Sequence, residues 1–240
     1  MPRQPNRVSV TREQKEILLG ILLGDAHMEL SPNGKSARLK IEQSVRKQDY
    51  VEHLHHVFQD WSPGRIVPAS NANNLHFSTR FSSSLLFYHT QFYVESIYGV
   101  KSRGVPRWLE HAFTPRSLAY LIMDDGGIKS KSSKGVYINL YGLGGREQEF
   151  LCEILGRKFE LQAKVVRDRQ FRRIYISGHS YGALVALIDP YILPSARNKI
   201  PPPRKERAGN NPSKEDSTGE KEALSSGEAK LDEITKLPKR

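Results

Sequence analysis

LAYLIMDDG, residues 118–126, is apolar as far as Met123 and then ends on two aspartates and a glycine. Its length and spacing predict a buried helix whose last turn carries a carboxylate pair, a costly thing to desolvate without a partner. A stretch of the same kind, LLGILLGDA, occupies residues 18–26. Superposed, the two place Asp25 and Asp125 at the same eighth position, 100 residues apart. Gly20 and Gly24 are four apart, hence on one helix face, where another helix can come close. Two such helices packed side by side would bring their terminal aspartates together. Nearby carboxylates repel unless something positive lies between them, and oxygen ligands of this kind suit Mg²⁺. That ion would gather phosphate oxygens and activate water for phosphodiester hydrolysis.

Outward from these stretches the order of elements repeats. Thr11 and Gln14 form a capping box for a helix running through KEILLGILLGDAHM (15–28). SARLKIEQSV alternates as a half-buried strand, YVEHLHHVFQDW is a helix, GRIVPAS and NNLHFSTR are strands, and SSLLFYHTQFYVESIY (83–98) is helical. KSRGVPRWLEHAFTP (101–115) connects to the second copy: helix SLAYLIMDDGG (117–127), strand GVYINLYGL, helix REQEFLCEILGRKF, a hairpin of AKVVRDR with RRIYIS, and helix YGALVALIDPYI. Phe77 and Ile176, Leu85 and Leu184, and Phe92 and Tyr191 all stand 99 apart, and ArgGlyValPro (103–106) is echoed by AsnLysIlePro (198–201). A near-constant offset signals internal duplication, and two similar halves pair about a pseudo-twofold axis. The expected organisation is an arm (1–11), halves at 12–104 and 105–202, each αββαββα in a mixed α/β (α+β) class, and a disordered tail (203–240) rich in Pro, Gly, Ser, Glu and Lys.

The charge fits a polyanion partner. The chain holds 37 Lys and Arg against 26 Asp and Glu, a formal +11, and nearly all of the excess precedes residue 203. Cys152 is the only cysteine, which excludes an intrachain disulfide and a thiolate zinc cluster. No apolar run reaches membrane-spanning length, and the first residues lack a signal-peptide core.

The two stretches resemble the paired LAGLIDADG motifs of the homing endonucleases, in the subgroup with two motifs per chain, over roughly residues 12–202. The resemblance implies that Asp25 and Asp125 bind the catalytic divalent ions, Mg²⁺ or Mn²⁺, with the carbonyls of Gly24 and Asp124 nearby and the Asp124 side chain directed elsewhere. It implies a lysine before an aliphatic-proline pair near each half's end: Lys199 matches, while the first half has Arg103 instead, with Lys101 two residues earlier. Arginine keeps the charge but does not readily give up a proton. Tyr120 stands where the first motif has Gly20, so the helix contact is expected to be asymmetric. The resemblance further implies a monomer that cuts both strands of double-stranded DNA at a long asymmetric site, encoded in an intron and often in an organelle genome.

The polar strand faces then become the DNA surface, a concave sheet along the major groove. Candidates are Arg38, Lys40, Glu42 and Ser44 in the first half and Tyr137, Asn139 and Tyr141 in the second, with Arg65, Arg80, Arg167, Arg169 and Arg172 as further contacts. An alternative on the same scaffold is an intron-RNA maturase, with or without DNA cleavage, although RNA binding gives no reason to keep two repelling carboxylates. GlyHisSerTyrGly (178–182) fits a hydrolase nucleophile elbow, but no histidine follows Ser180 to serve it. HisLeuHisHis (53–56) lacks carboxylate or cysteine company at zinc-site spacing and reads as a charged helix face.

Overall fold

A computed structural model describes residues 7–70, 73–95 and 101–203. The tail expected to be disordered lies outside the described residues from Arg204 onward, as do the first six residues of the arm.

The first half runs α1 (Arg12–Leu23), β1 (His27–Leu30), β2 (Ala37–Ser44), α2 (Gln48–Val57), β3 (Val67–Pro68), β4 (Asn74–Ser78) and α3 (Ser83–Phe92). A short ribbon, β5 (Tyr93–Glu95) with β6 (Lys101–Arg103), and the helix α4 (Leu109–Ala112) lead onward. The second half is α5 (Pro115–Asp125), β7 (Gly126–Ile128), β8 (Val136–Ile138), α6 (Gly145–Phe159), β9 (Ala163–Asp168), β10 (Phe171–Ile176) and α7 (Tyr181–Ile188). Each half therefore reads αββαββα. Its four-stranded antiparallel sheet has the order β1-β2-β4-β3 in the first half and β7-β8-β10-β9 in the second, the same topology twice.

Three helices stop sooner than periodicity predicts. α1 ends at Leu23 and α5 at Asp125, because the next residues leave to pair with β2 and β8: His27 faces Lys40 and Gly127 faces Tyr137. Apolar alternation in short segments suits helix or strand, and here the partner strand decides. α3 ends at Phe92 for the same reason, Tyr93 pairing with Arg103 in what the sequence presents as a connector. The capping box at Thr11 and Gln14 is present. Residues 7–11 lie along the first half, with Val8 N–H donating to Ser82 at 3.0 Å and the Trp61 indole donating to the Ser9 carbonyl at 3.1 Å.

α1 and α5 are the centre. Ile17, Leu18, Leu19, Ile21, Leu22 and Leu23 on α1, and Leu118, Ala119, Leu121, Ile122 and Met123 on α5, are at most 2 % exposed. The two helices can be buried all round because sheets and outer helices from both halves cover them. Their contact is close and unequal. A methyl group added at Gly20 would come within 2.4 Å of the Ser117 carbonyl oxygen, and one added at Gly24 within 2.4 Å of an Asp124 carboxylate oxygen. α1 supplies the hollows, filled from α5 by the Ser117 backbone and the Tyr120 Cβ at Gly20 and by the Asp124 side chain at Gly24. Across the far end Arg116 pairs with Glu13 and Glu16, and the Ser117 hydroxyl donates to the Glu16 carbonyl at 2.7 Å.

Candidate active site

Asp25 follows the end of α1 and Asp125 closes α5, so the helix pair delivers both to one end of the interface. Two oxygens of Asp25 and its neighbours are held by groups the motifs do not contain. Gln43, the last inward-facing residue of β2, donates its amide to the Asp25 carboxylate at 2.7 Å. Lys47, one residue before α2, lies 3.3 Å from the same carboxylate oxygen and 3.5 Å from the Asp124 carbonyl. Lys199 reaches that carbonyl from the other half at 3.3 Å. Lys47, Tyr50, Met123, Asn198 and Lys199 line a cleft of about 390 Å³ beside these groups.

Asp125 has a different setting. Burial and the neighbouring charge of Asp25 raise its pKa to about 7, against the opposing pull of Lys47, Arg103 and Lys199. Its carbonyl accepts both the backbone N–H of Asn139 at 3.0 Å and the Asn139 side-chain amide at 3.1 Å. Asp124 is 4 % exposed, and one carboxylate oxygen accepts the N–H of Asp25 at 3.1 Å. The other oxygen is buried and finds no hydrogen-bond partner among the described residues. Burial first, then the charge of Asp25, raises the Asp124 pKa to about 8. Lys199 is shifted the opposite way, downward, by burial and by Lys47. The carbonyl of Asp124 thus faces the lysines while its carboxylate turns into the helix contact.

The residue named for the first half's lysine slot does something else. Arg103 extends from β6 and donates to the carbonyls of Leu22, Gly24 at 2.8 Å and Ala26 at 3.4 Å, capping the open end of α1. Counting back from the prolines, Gly104 and not Arg103 corresponds to Lys199. The side chain of Lys101 lies outside the described residues.

The strand candidates divide by face. Arg38, Lys40, Glu42 and Ser44 alternate with the buried Ala37, Leu39, Ile41 and Gln43, and so lie on the side turned away from the helices. Tyr137 shares the equivalent side of the second sheet with Tyr175, its pair across the strands. The Tyr141 hydroxyl donates to Asp168 at 2.8 Å. Arg172 and Arg167 form a cross-strand pair in register with the inward Ile174 and Ile176, which puts both on the helix side of the sheet, with Arg172 against Gly145 of α6. Arg169 sits in the hairpin turn at φ +56°, Arg65 is exposed ahead of β3, and Arg80 donates to the Asp60 carbonyl at 2.7 Å. Arg173 and Lys164 lie on the outward side, a placement that the alternation Arg173, Tyr175 against Ile174, Ile176 already carries. Gln43 had a signal too: it is the polar member of an otherwise apolar strand face. Ser180 is buried, its hydroxyl accepting the Gln162 N–H at 2.8 Å, and His53 lies 2.6 Å from the Tyr120 hydroxyl.

Residues 15–184 match the model of the LAGLIDADG DNA endonuclease family. The chain belongs to this family. Among its relatives is the probable intron-encoded endonuclease 1 of Wickerhamomyces canadensis, 27 % identical over 199 residues, a match covering 80 % of this chain and 85 % of that one. The cytochrome b mRNA maturase bI2 of Saccharomyces cerevisiae is 24 % identical over 198 residues, 77 % of this chain but 46 % of the maturase. Among solved structures, the homing endonuclease I-WcaI bound to its DNA recognition sequence superposes with a TM-score of 0.70 at 25 % identity, covering 80 % of this chain and 87 % of that one. This LAGLIDADG chain has no helix among its described residues long and apolar enough to cross a membrane. Nor do those residues hold a group of three or more His, Cys, Asp or Glu side chains arranged around a metal. The donors that do converge are carboxylates and backbone carbonyls, a set suited to a hard divalent cation.

Proposed function

We propose that this LAGLIDADG chain is a site-specific endonuclease that hydrolyses both strands of double-stranded DNA at a long asymmetric target, acting as a monomer. The observation that carries this reading is the convergence of Asp25 and Asp125 at one end of the helix pair, flanked by Lys47 and Lys199. Burial and the charge of Asp25 raise the Asp125 pKa to about 7, a kind of shift that gathers at sites of chemistry.

The residues fit a divalent cation, Mg²⁺ or Mn²⁺. Asp25 and Asp125 would hold it, with the carbonyls of Gly24 and Asp124 at the margin, and a cation would offset both the burial and the repulsion by Asp25 that raise the Asp125 pKa. Bound there, the ion supplies charge neutralisation on the phosphate and a more acidic water. Lys47 and Lys199 stabilise the charge that builds on the phosphate oxygens, and Gln43 fixes the orientation of the Asp25 carboxylate. Arg38, Lys40, Glu42, Ser44 and Tyr137, on outward strand faces, contact the DNA, with Tyr141 from the turn after β8. Arg65 and Arg169 add phosphate contacts from the loops. Arg103 contributes positive potential through α1 and not a direct clamp on phosphate.

The kinship with the Saccharomyces maturase supports a second reading, assistance to splicing of the host intron RNA in an organelle, alone or beside cleavage. Incubation with a duplex spanning the uninterrupted insertion site of the host intron, with and without Mg²⁺, separates the two. Wild type should cut both strands only with the ion. Asp125→Asn should lose at least about 10²-fold in rate while still shifting the duplex on a gel. Unchanged cutting by Asp125→Asn would sink the mechanism. No cutting by wild type, together with specific binding of the intron RNA, would establish the maturase.

A further inference from the structure

The outward faces of the two sheets differ in chemical kind. On the first, charged and amide groups hold one another in place. Arg38 donates to Glu29 through Nε at 2.7 Å and lies 2.6 Å from it through a terminal nitrogen. Glu42 accepts the Asn74 amide at 3.0 Å and lies 3.6 Å from the Lys40 ammonium. Such a surface offers fixed donors and acceptors at once.

The second face is built of rings. Tyr137 and Tyr175 pack with centroids 5.4 Å apart, and Tyr141 and Phe171 with centroids 5.1 Å apart. Two of its cations lie over those rings: the Arg173 guanidinium sits 3.7 Å from the Tyr137 centroid and the Lys129 ammonium 5.0 Å from that of Tyr175. Asp168 accepts the Tyr141 hydroxyl at 2.8 Å and pairs with Arg173 at 3.3 Å, which ties up these three groups. Two of the rings stay open to solvent, Tyr141 45 % and Phe171 46 % exposed, with Lys164 beside Tyr175 at the edge strand.

A carbon surface laid in the major groove finds one matching feature on the base edges, the C5-methyl group of thymine, whereas donors and acceptors distinguish guanine, cytosine and adenine. Water leaving both the ring and the methyl group favours their contact without any directional bond. We infer that the target is bipartite in its chemistry: the part under the second sheet is selected through thymine methyl groups, and the part under the first sheet through hydrogen bonds to base edges. This rests on the chain's binding duplex DNA, and it goes beyond that reading by naming what each sheet recognises. The rings are also suited to stacking against unpaired bases, but they already pack at a tilt against one another, and Tyr137 and Tyr175 carry Arg173 and Lys129 over their faces, which leaves less open face to a partner.

The test is selection of bound duplexes from a randomised library by the full chain in buffer with a chelator, so that no cutting is needed. In the selected duplex, deoxyuridine then replaces thymidine in one part at a time, which removes only the methyl group. Replacement under the second sheet should weaken binding about fourfold for each buried methyl, and replacement under the first should leave it unchanged. Orientation is read independently by placing 5-iododeoxyuridine at those thymines and mapping photocrosslinks, expected on the peptides bearing Tyr137, Tyr141, Phe171 or Tyr175. Phe171→Ser, at an exposed ring and therefore safe for folding, should shrink the deoxyuridine penalty. Equal penalties in both parts, or crosslinks to β2 and β4, would overturn the inference while leaving DNA binding intact. Enrichment of no duplex would remove the DNA-binding reading and this one with it. Preference for single strands over the selected duplex, lost in Phe171→Ser, would make the rings a stacking platform and overturn it as well.

Discussion

Asp25 takes hydrogen bonds from a glutamine amide and a lysine of its own half; Asp125 feels the charge of Lys199, but among the described residues its carboxylate has no such hydrogen bonds. Strand register shows why. With His27 opposite Lys40 and Gly127 opposite Tyr137, the positions of Gln43 and Lys47 in the first half correspond to Leu140 and Gly144 in the second. Leu140 is buried in the core and Gly144 starts α6 as its N-cap. Duplication has kept the scaffold, with offsets between 97 and 100 residues, while the chemistry around each carboxylate diverged. Packing constrains every apolar position of both copies together. A carboxylate's neighbours, in contrast, can be supplied from either half once the helices bring the two sites close. Lys47 does this directly, touching Asp25 of its own half and the Asp124 carbonyl of the other.

The comparison can be broken most sharply at the lysines. Lys47→Met should slow double-strand cutting by about 10²-fold and let nicked circles accumulate from a supercoiled plasmid carrying the target, because one strand depends on this cation more than the other. Lys199→Met should slow cutting with a different ratio of nicked to linear product. Identical ratios for the two variants would mean that the inequality between the sites has no catalytic weight. Gln43→Leu gives the first half the residue that the second has by register. It should cost roughly tenfold in rate, as loss of one positioning hydrogen bond to a charged group does, with affinity for the duplex unchanged. A rate equal to wild type would show that Asp25 needs no such support.

The smallest expected effect is on stability. Asp124 has its pKa raised to about 8 from 3.8 by burial and by Asp25. For an acid raised in the fold, the folded state holds the proton while the unfolded chain has lost it, so stability falls as pH rises from about 4 to about 8 and then levels off. Asp124→Asn keeps an oxygen for the Asp25 N–H and removes this charge. In chelator-containing buffer it should raise the Tm at pH 8 by several degrees, at about 2–4 °C per kcal/mol for a domain of this size, with little gain at pH 4. A gain of equal size at both pH values would show that packing, and not ionisation, is responsible.

The fold was legible because duplication doubles every signal: two apolar runs ending at Asp25 and Asp125, and three apolar pairs at one offset. The helix ends were not, since whether residues 24–28 continue α1 or leave to form β1 depends on β2 being beside them. The carboxylates of the site were legible for the same reason as the fold. Gln43 and Lys47 were not, because their approach to Asp25 is set by where β2 ends and α2 begins, a tertiary fact. Arg103 misled in a different way. Its charge and the following prolines suggested a partner for phosphate, but an arginine beside the open carbonyls of a helix end finds three acceptors already in reach. Arg167 and Arg172 show the opposite lesson, for strict alternation with Ile174 and Ile176 sends them to the helix side whatever their charge.

The hollows at Gly20 and Gly24, filled by Tyr120 and Asp124, have a consequence for the lineage of this chain. Two copies of the first half would set glycine against glycine and lose the contacts that Tyr120 and Asp124 now make; two copies of the second would set those larger side chains against their own copies. Neither half can any longer stand in for the other, and a return to a symmetric pair would need several coordinated replacements at once. The same lock instructs anyone building hybrids from related proteins: a transplanted half has to bring the matching side of the helix contact with it, or the partner helix has to be recut to suit.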